Sequence, residues 1–215
     1  MKLELSKPIL YLITRGASTK ATTPASLEFK QILDQVSAAV AAGIDLVQLR
    51  EKRLTARTLL ELTSAATRVT QGSSTRLLVN DRADIAAAAR AHGVHLTTQS
   101  IDARTIRKTF GEEFLIGAST HSLAEVRTAR DGGADFIVLG PVFATASKEK
   151  YGSSVGIEQL ARVASEVQPF PVLALGGVNR ENAVDCLRAG ASGVAGISLF
   201  QEPERFGELV TKLRQ

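Results

Sequence analysis

Short apolar runs alternate with longer amphipathic stretches along almost the whole chain. The apolar runs lie at residues 9–14, 45–50, 77–80, 94–96, 114–117, 136–140, 171–175 and 193–196. In the stretches that follow them, apolar residues recur three and four positions apart, which is typical of helices packed on one face. The pattern therefore predicts eight strand–helix units.

The apolar runs are continuous, which indicates strands buried on both faces and hence a parallel sheet. Eight such units in 215 residues match a small (β/α)8 TIM barrel, and an open doubly wound sheet is the alternative. No linker interrupts the pattern, so we expect residues 1–215 to form a single domain. The phrase Gly-x-Asp at 43–45 and 133–135, with Ser in the last place at 190–192, predicts a helix-ending glycine and a tight turn.

Composition and charge narrow the classes of protein and partner. Apolar residues at 44% and charged residues at 22% exclude a disordered or fibrous chain. The net charge is only +4 and no basic run is interleaved with aromatic residues, so we expect no nucleic-acid partner. No apolar run reaches the roughly 18 residues of a membrane span. With a single cysteine, Cys186, and no signal-peptide pattern, a cytoplasmic location is expected.

Two connections after strands are longer than is usual in a compact barrel, at 15–26 and 141–155. Both would lie at the carboxyl ends of the strands, where barrels carry their catalytic residues. The second connection contains Lys148 and is a candidate lid.

Glycines mark the ends of the last two strands. Gly176 and Gly177 come just before a helix expected at 179–188, and Gly196, Ile197 and Ser198 are expected to lead into the final helix in the same way. Backbone N–H groups beside glycine, together with a helix start, favour a phosphate group. The alternative is that these glycines only turn the chain.

Cations gather near the same predicted face. Arg50 and Lys52 are two residues apart and share one side of an extended segment, and Lys148 lies on the candidate lid. Three cations suit a diphosphate, although a solvated charge cluster is the alternative. Asp81 would repel such a ligand unless a divalent cation lay between them, as Mg²⁺ commonly does.

Two histidines have different expected places. His121 follows the fifth strand, where it is either a general acid or base or a hydrogen-bond donor that orients a loop. His95 lies within a strand and is expected inside the barrel. No second histidine or cysteine stands at metal-ligand spacing, so a zinc site is not expected.

Taken in order, the strand ends resemble the thiamine phosphate synthase/TenI family over about residues 9–200. The matching segments are YLIT at 11–14, VQLREK at 47–52, VND at 79–81, GVHL at 93–96, IGASTHS at 116–122, GPVF at 140–143, TASK at 145–148 and ALGGV at 174–178. This resemblance implies a TIM barrel and small phosphorylated substrates, and it leaves a homo-oligomer open.

The resemblance also implies a reaction, in which hydroxymethylpyrimidine diphosphate loses diphosphate and the resulting cation is captured by a thiazole phosphate. The implied catalytic residues are Arg50, Lys52, Ser119, His121 and Lys148. Asp81 would hold Mg²⁺. The implied substrate-binding residues are Gln48, Asn80, Thr145, Ser147, Gly177, Ile197 and Ser198.

One departure from the family pattern bears on the metal. Where the synthases usually carry Gly-Gln-Glu-Asp, this chain has 97–100 as Thr-Thr-Gln-Ser, so Ser100 replaces an expected magnesium ligand. Asp102 could substitute only with a shifted backbone, and its alternative is a carboxylate on the first turn of the next helix.

Three other functions stay open beside the synthase, one of them an unrelated phosphate-binding barrel such as a sugar-phosphate isomerase or epimerase. The TenI branch resembles this chain too and implies a metal-free thiazole tautomerase with His121 as the acid/base, a reading compatible with Ser100. A non-catalytic barrel that binds thiazole or thiamine phosphate is the third reading. Lys52 and Asp81 favour the synthase, because a monophosphate tautomerase has less use for either.

Overall fold

The protein is described by a computed structural model that covers residues 8–144 and 154–215. Eight parallel strands close into a barrel in the order β1 to β8, with a helix after each, as the sequence predicts, and the open-sheet alternative is wrong. The strands are β1 Ile9–Ile13, β2 Leu46–Leu49, β3 Arg76–Asn80, β4 Gly93–Leu96, β5 Leu115–Thr120, β6 Phe136–Leu139, β7 Val172–Ala174 and β8 Gly193–Gly196. The helices are α1 Leu27–Ala42, α2 Ala56–Thr70, α3 Ala83–Ala88, α4 Ala103–Phe110, α5 Leu123–Asp131, α6 Gly156–Val167, α7 Ala183–Arg188 and α8 Phe206–Arg214, with 3-10 turns at Ser198–Phe200 and Pro203–Arg205.

The barrel interior is a small apolar core, separate from the larger one between strands and helices. Tyr11, Leu46, Leu78 and Phe136 belong to this interior cluster, and alternate residues of the same strands face the helices. A side chain at Gly117 would come within 2.4 Å of the Phe136 ring. Glycine at this position therefore leaves room for the aromatic rings inside the barrel.

The Gly-x-Asp phrase is architectural, as predicted. Gly43 and Gly133 end or follow their helices with φ of 73° and 90°, in the left-handed region that favours glycine. Asp45 accepts a hydrogen bond of 2.8 Å from the Leu10 amide of β1, and Asp135 one of 2.7 Å from the Ile116 amide of β5. Each aspartate thus ties the start of its own strand to another strand at the amino end of the barrel.

Two element boundaries differ from the sequence-based expectation. Strand β5 runs on to Thr120, so that Ser119 lies within the strand. Helix α7 begins at Ala183, and the expectation that the glycine loop passes directly into a helix at Asn179 is wrong. The Asn179 side chain accepts hydrogen bonds from the amides of Glu181 and Asn182 at 2.8 and 3.0 Å, a local turn that competes with helix formation.

The segment after strand β8 also differs from the expectation that a helix follows directly. Ser198–Phe200 is a 3-10 turn, and α8 begins only at Phe206. Neither glycine loop therefore leads straight into an α-helix. Within residues 8–144 and 154–215, no helix is long and apolar enough to cross a membrane.

Candidate active site

Four of the predicted site residues face the barrel axis at the carboxyl ends of the strands, here called the rim. Side chains two residues apart on a strand point the same way. Leu46, Leu78, Leu115 and Ala195 belong to the interior cluster. Continuing along the same faces reaches the predicted binding residues Gln48, Asn80 and Ile197 and the predicted catalytic residue Ser119.

Gln48 is the clearest sign of a ligand at the rim. Its side chain is 1% exposed, and its Nε2 has no hydrogen-bond partner within the described part of the chain. A buried donor without an acceptor is costly, so such groups commonly serve a ligand. Gln48 therefore has an unpaired N–H donor at the rim, and its contact with a substrate stays a prediction.

Arg50 lies just beyond β2, half-buried against the start of the loop that follows β1. Its backbone N–H donates to the Thr14 hydroxyl at 2.8 Å. A side chain at Gly16 would lie 3.0 Å from the Arg50 carbonyl oxygen and 3.7 Å from Nη1, so the loop backbone packs directly on this arginine. Lys52, two residues further, is exposed.

The Glu51 side chain, between these two cations, points to the opposite side of the segment. Glu51 was not among the residues that the sequence predicted to be functional. Its carboxylate is 3% exposed and accepts hydrogen bonds from the Thr14 hydroxyl at 2.7 Å and the Gly16 amide at 3.1 Å. It also accepts from the amide and hydroxyl of Ser18 at 3.1 and 2.5 Å. The sequence does contain a signal for the inward position of Glu51, because the alternation that puts Arg50 and Lys52 on one side turns Glu51 to the other.

A hydrogen-bonded row of side chains runs from the barrel core to the rim. The Tyr11 hydroxyl lies 3.1 Å from His95 Nδ1, and His95 Nε2 lies 2.9 Å from the Ser119 hydroxyl. Burial lowers the pKa of His95 to about 3 and raises that of Tyr11 well above its usual value. The prediction that His95 lies inside the barrel is confirmed, and its contact with Ser119 was not foreseen.

Of the acidic residues near the rim, Asp81 is the predicted metal ligand. Asp81 is exposed, has a left-handed backbone with φ of 61°, and donates its amide to the His95 carbonyl at 2.9 Å. Asp102 caps α4, accepting from the Thr105 amide and hydroxyl at 2.9 Å each, so its expected alternative as a first-turn carboxylate is the observed one.

Ser100 also has a local role, since its hydroxyl accepts the Thr97 amide at 2.7 Å. No group of three or more His, Cys, Asp or Glu residues converges in the described ranges. The residues present fit a Mg²⁺ ion only where substrate oxygens supply most of its ligands, which is a usual arrangement for this ion.

His121 is exposed and held at both its backbone and its ring. Its amide donates to Glu125 at 2.7 Å, and Nδ1 is hydrogen-bonded to the Gly140 carbonyl oxygen. An imidazole that donates from Nδ1 presents Nε2 as its acceptor. The loop-orienting role expected as one alternative for His121 is therefore present, and the acid/base role stays a prediction.

The glycine pair after β7 supports the base of the candidate lid. Gly176 and Gly177 have φ of 90° and 67°, and side chains there would come within 2.5 Å of Pro141 and 2.6 Å of Phe143. The Phe143 amide also donates to the Gly176 carbonyl at 2.9 Å. Close approach of this segment explains both glycines, while their contact with a phosphate stays a prediction.

The remaining predicted residues lie beside these loops or outside the described residues. Ser198 is exposed and lines a cleft of about 260 Å³ together with Asn179, Arg180 and Arg205. Thr145, Ser147 and Lys148 lie outside the described residues.

Comparisons with known proteins agree on one family. The family model described as thiamine monophosphate synthase matches residues 10–200. A putative thiamine-phosphate synthase of Geobacter sulfurreducens is 49% identical over 176 residues, covering 81% of this chain and 82% of that protein. A thiamine-phosphate synthase of Roseiflexus sp. strain RS-1 is 39% identical, covering 88% and 77%. The solved thiamine phosphate pyrophosphorylase of Pyrococcus furiosus superposes with a TM-score of 0.78 at 27% identity, covering 97% of this chain and 98% of that one.

Proposed function

The chain belongs to the thiamine monophosphate synthase family, and from this premise we propose that it is itself a thiamine-phosphate synthase. It is a transferase of thiamine biosynthesis that joins hydroxymethylpyrimidine diphosphate to thiazole phosphate and releases diphosphate. The observation that carries the proposal is that the matched span, residues 10–200, contains every residue of the rim. The orphaned donor of Gln48 and the packed Arg50 support a ligand there.

The reaction begins with loss of diphosphate. The bond between the pyrimidine methylene carbon and the diphosphate oxygen breaks, and its electron pair leaves on that oxygen. Arg50, Lys52 and Lys148 stabilise the developing negative charge. The Thr14 hydroxyl accepts the Arg50 backbone N–H and the Gly16 backbone packs on this residue, which supports a defined main-chain position for Arg50 at the rim.

Bond formation completes the transfer. The lone pair of the thiazole nitrogen attacks the pyrimidine methylene cation, and a carbon–nitrogen bond forms without any proton transfer. Gln48, Asn80 and Ser119 orient the pyrimidine and diphosphate by hydrogen bonds, so that the cation faces its partner. Gly177, Ile197 and Ser198 hold the thiazole phosphate in this proposal, and Thr145 and Ser147 are its further substrate-binding residues.

Mg²⁺ is part of the proposal as a bound cofactor, with Asp81 as its protein ligand. When bound, the ion neutralises oxygens of the diphosphate. Ser100, held by the Thr97 amide, supplies a hydroxyl where a second carboxylate would strengthen the site. A homo-oligomer and a cytoplasmic location also remain predictions.

The test offers the purified protein two reactions, each with and without EDTA. One mixture contains hydroxymethylpyrimidine diphosphate and thiazole phosphate, and the other contains only the thiazole carboxylate phosphate tautomer. We expect thiamine phosphate and diphosphate in equal amounts from the first mixture, with a rate that EDTA lowers. A His121→Ala variant is expected to retain this synthase activity.

Two results would overturn the synthase. Conversion of the thiazole tautomer in EDTA, abolished by His121→Ala and without thiamine phosphate from the first mixture, would identify a tautomerase. Thermal stabilisation by thiazole phosphate with no turnover of either mixture would identify a binding protein.

A further inference from the structure

The proposed mechanism uses the Ser119 hydroxyl but not the two buried side chains behind it. Tyr11 of β1 and His95 of β4 are 0% and 3% exposed, and with Ser119 of β5 they form what we call the interior hydrogen-bond network. Its two links measure 3.1 Å from Tyr11 to His95 Nδ1 and 2.9 Å from His95 Nε2 to Ser119. Three strands thus contribute to one row of polar groups inside an apolar barrel.

Burial decides which protonation states these groups adopt. Tyr11 and His95 are 0% and 3% exposed inside the apolar barrel interior, where a charged ring would lack solvation. At neutral pH the network therefore consists of an uncharged phenol, an uncharged imidazole and an alcohol. A neutral imidazole has one N–H donor and one acceptor nitrogen.

The buried end of the network fixes its direction. Among the described residues, His95 is the hydrogen-bond partner of the Tyr11 hydroxyl. A fully buried O–H needs an acceptor, so Tyr11 donates to Nδ1 and the ring proton lies on Nε2. Nε2–H then donates to the Ser119 oxygen, which leaves the Ser119 hydroxyl proton to be donated elsewhere.

Packing keeps the rings in this arrangement. The Phe136 ring meets the Tyr11 ring edge-on, with 5.5 Å between centroids. A side chain at Gly117 would lie 2.8 Å from His95 Nδ1, so the histidine ring fills the space beside this glycine. Ser119 is half-buried at the rim, so its hydroxyl is within reach of a molecule bound there.

We propose that Tyr11 and His95 are positioning residues that fix Ser119 as a hydrogen-bond donor toward an acceptor atom of the pyrimidine diphosphate. The inference rests on the proposed synthase function for the identity of the acceptor. With the opposite tautomer, Ser119 would donate to His95 and present only lone pairs to an anionic substrate. The network thus determines the polarity of a group that touches the substrate.

A spectroscopic experiment tests the direction of the network without any substrate. The full chain, labelled with ¹⁵N-histidine, is studied by long-range ¹H–¹⁵N NMR between pH 5 and 8, and the His95 signals are assigned by their loss in His95→Gln. We expect a neutral ring with its proton on Nε2 throughout, and a mixture of tautomers in Tyr11→Phe. A proton on Nδ1, or an imidazolium within this pH range, would overturn the proposal.

A kinetic experiment then tests the consequence. Tyr11→Phe is expected to lower kcat about tenfold, the scale of one misdirected hydrogen bond, with the KM for thiazole phosphate unchanged. In a Ser119→Ala background the same change should have no further effect on kcat. Thr63→Val, which removes another buried hydroxyl that donates to the Leu59 carbonyl, is the matched control with unchanged kcat.

The two experiments test different parts of the proposal, so each can contradict its part independently of the other. A tenfold loss that persists in the Ser119→Ala background would mean that Tyr11 acts only on packing. If the protein made no thiamine phosphate at all, the proposed function would fail, and the NMR result would still decide the direction of the network.

Discussion

At the scale of single residues, neighbours in the sequence have opposite surroundings. Arg50 lies on the side of the rim and Glu51 is buried under a loop, although they are adjacent on one extended segment. Alternation of side chains along a strand end explains the difference. A charged cluster in the sequence therefore separates into Arg50 at the rim and Glu51, which holds the backbone of the neighbouring loop.

Truncation of the Arg50 side chain is expected to lower the rate of the synthase reaction. Arg50→Ala should lower kcat by about 10²-fold or more, because it removes a preorganised donor from the leaving diphosphate. Steady-state synthase assays with saturating Mg²⁺ measure this. The control is Arg53→Ala, an exposed arginine three residues away, which should behave as wild type. Equal activity of the two variants would place Arg50 outside the reaction.

Ser100→Asp should restore the carboxylate that the family pattern carries at this position. An aspartate can keep the hydrogen bond from the Thr97 amide with one oxygen and offer the other to Mg²⁺. We expect half-maximal turnover at a lower Mg²⁺ concentration, measured by titrating the metal in the synthase assay. Ser100→Asn keeps the turn without the charge and should resemble wild type. An unchanged titration of the aspartate variant would mean that this turn does not contact the metal.

At the scale of elements, the site is made by contacts between loops that are far apart in the sequence. Glu51, after β2, binds residues 14–18 after β1 through four hydrogen bonds. In the same way, Gly176 and Gly177 after β7 lie under Pro141 and Phe143 after β6. Each pair of adjacent loops is thus fastened at its base, which gives the rim a fixed shape.

The Glu51 contact is expected to affect both stability and substrate binding. Glu51→Gln places an amide N–H₂ against donors of the 14–18 segment, and each buried donor left unpaired costs about 1–3 kcal/mol. The melting temperature should fall, and the KM for the pyrimidine diphosphate should rise while that for thiazole phosphate stays the same. Glu61→Gln, on the exposed face of α2, is the control and should change neither value. A parallel rise in both KM values would argue against a local effect on the β1 loop.

At the scale of the whole molecule, closure of the barrel buries histidines that an unfolded chain would expose. His92 Nδ1 accepts the Leu77 amide at 2.9 Å, and burial, together with Arg76, lowers its pKa to about 4. His95 has a pKa of about 3. Folding thus disfavours the charged form of both rings, which makes the stability of the barrel depend on pH.

The free energy of unfolding should therefore decrease as the pH falls from about 6.5 towards 4. In this window the unfolded chain binds a proton on each histidine and the folded chain does not, so acid favours unfolding, by up to about 1.4 kcal/mol per pH unit for each ring. Urea unfolding at pH 4.5 to 7 measures the slope. His92→Asn keeps an acceptor for the Leu77 amide and should reduce the slope by about one proton. A slope equal to that of wild type would contradict the assignment to His92.

The sequence was a good guide to the barrel and a partial guide to the site. Continuous apolar runs predicted the parallel strands, and the strand ends predicted that Gln48, Asn80 and Ser119 share a rim. The helix expected at Asn179 was wrong, because this residue's side chain binds nearby amides in a turn. Such local competition between side chain and helix leaves little trace in a hydrophobic pattern.

The amino-acid sequence by itself determined the eight strand–helix units, the face on which the polar strand ends would gather and the family to which they are similar, because these follow from periodicity and the order of residues. Only the tertiary structure decided that Glu51 holds a loop, that Asp102 caps a helix and that Tyr11, His95 and Ser119 join in one row. Those roles depend on distances between strands that are remote along the chain. Closure of the barrel sets these distances, and no local pattern encodes them.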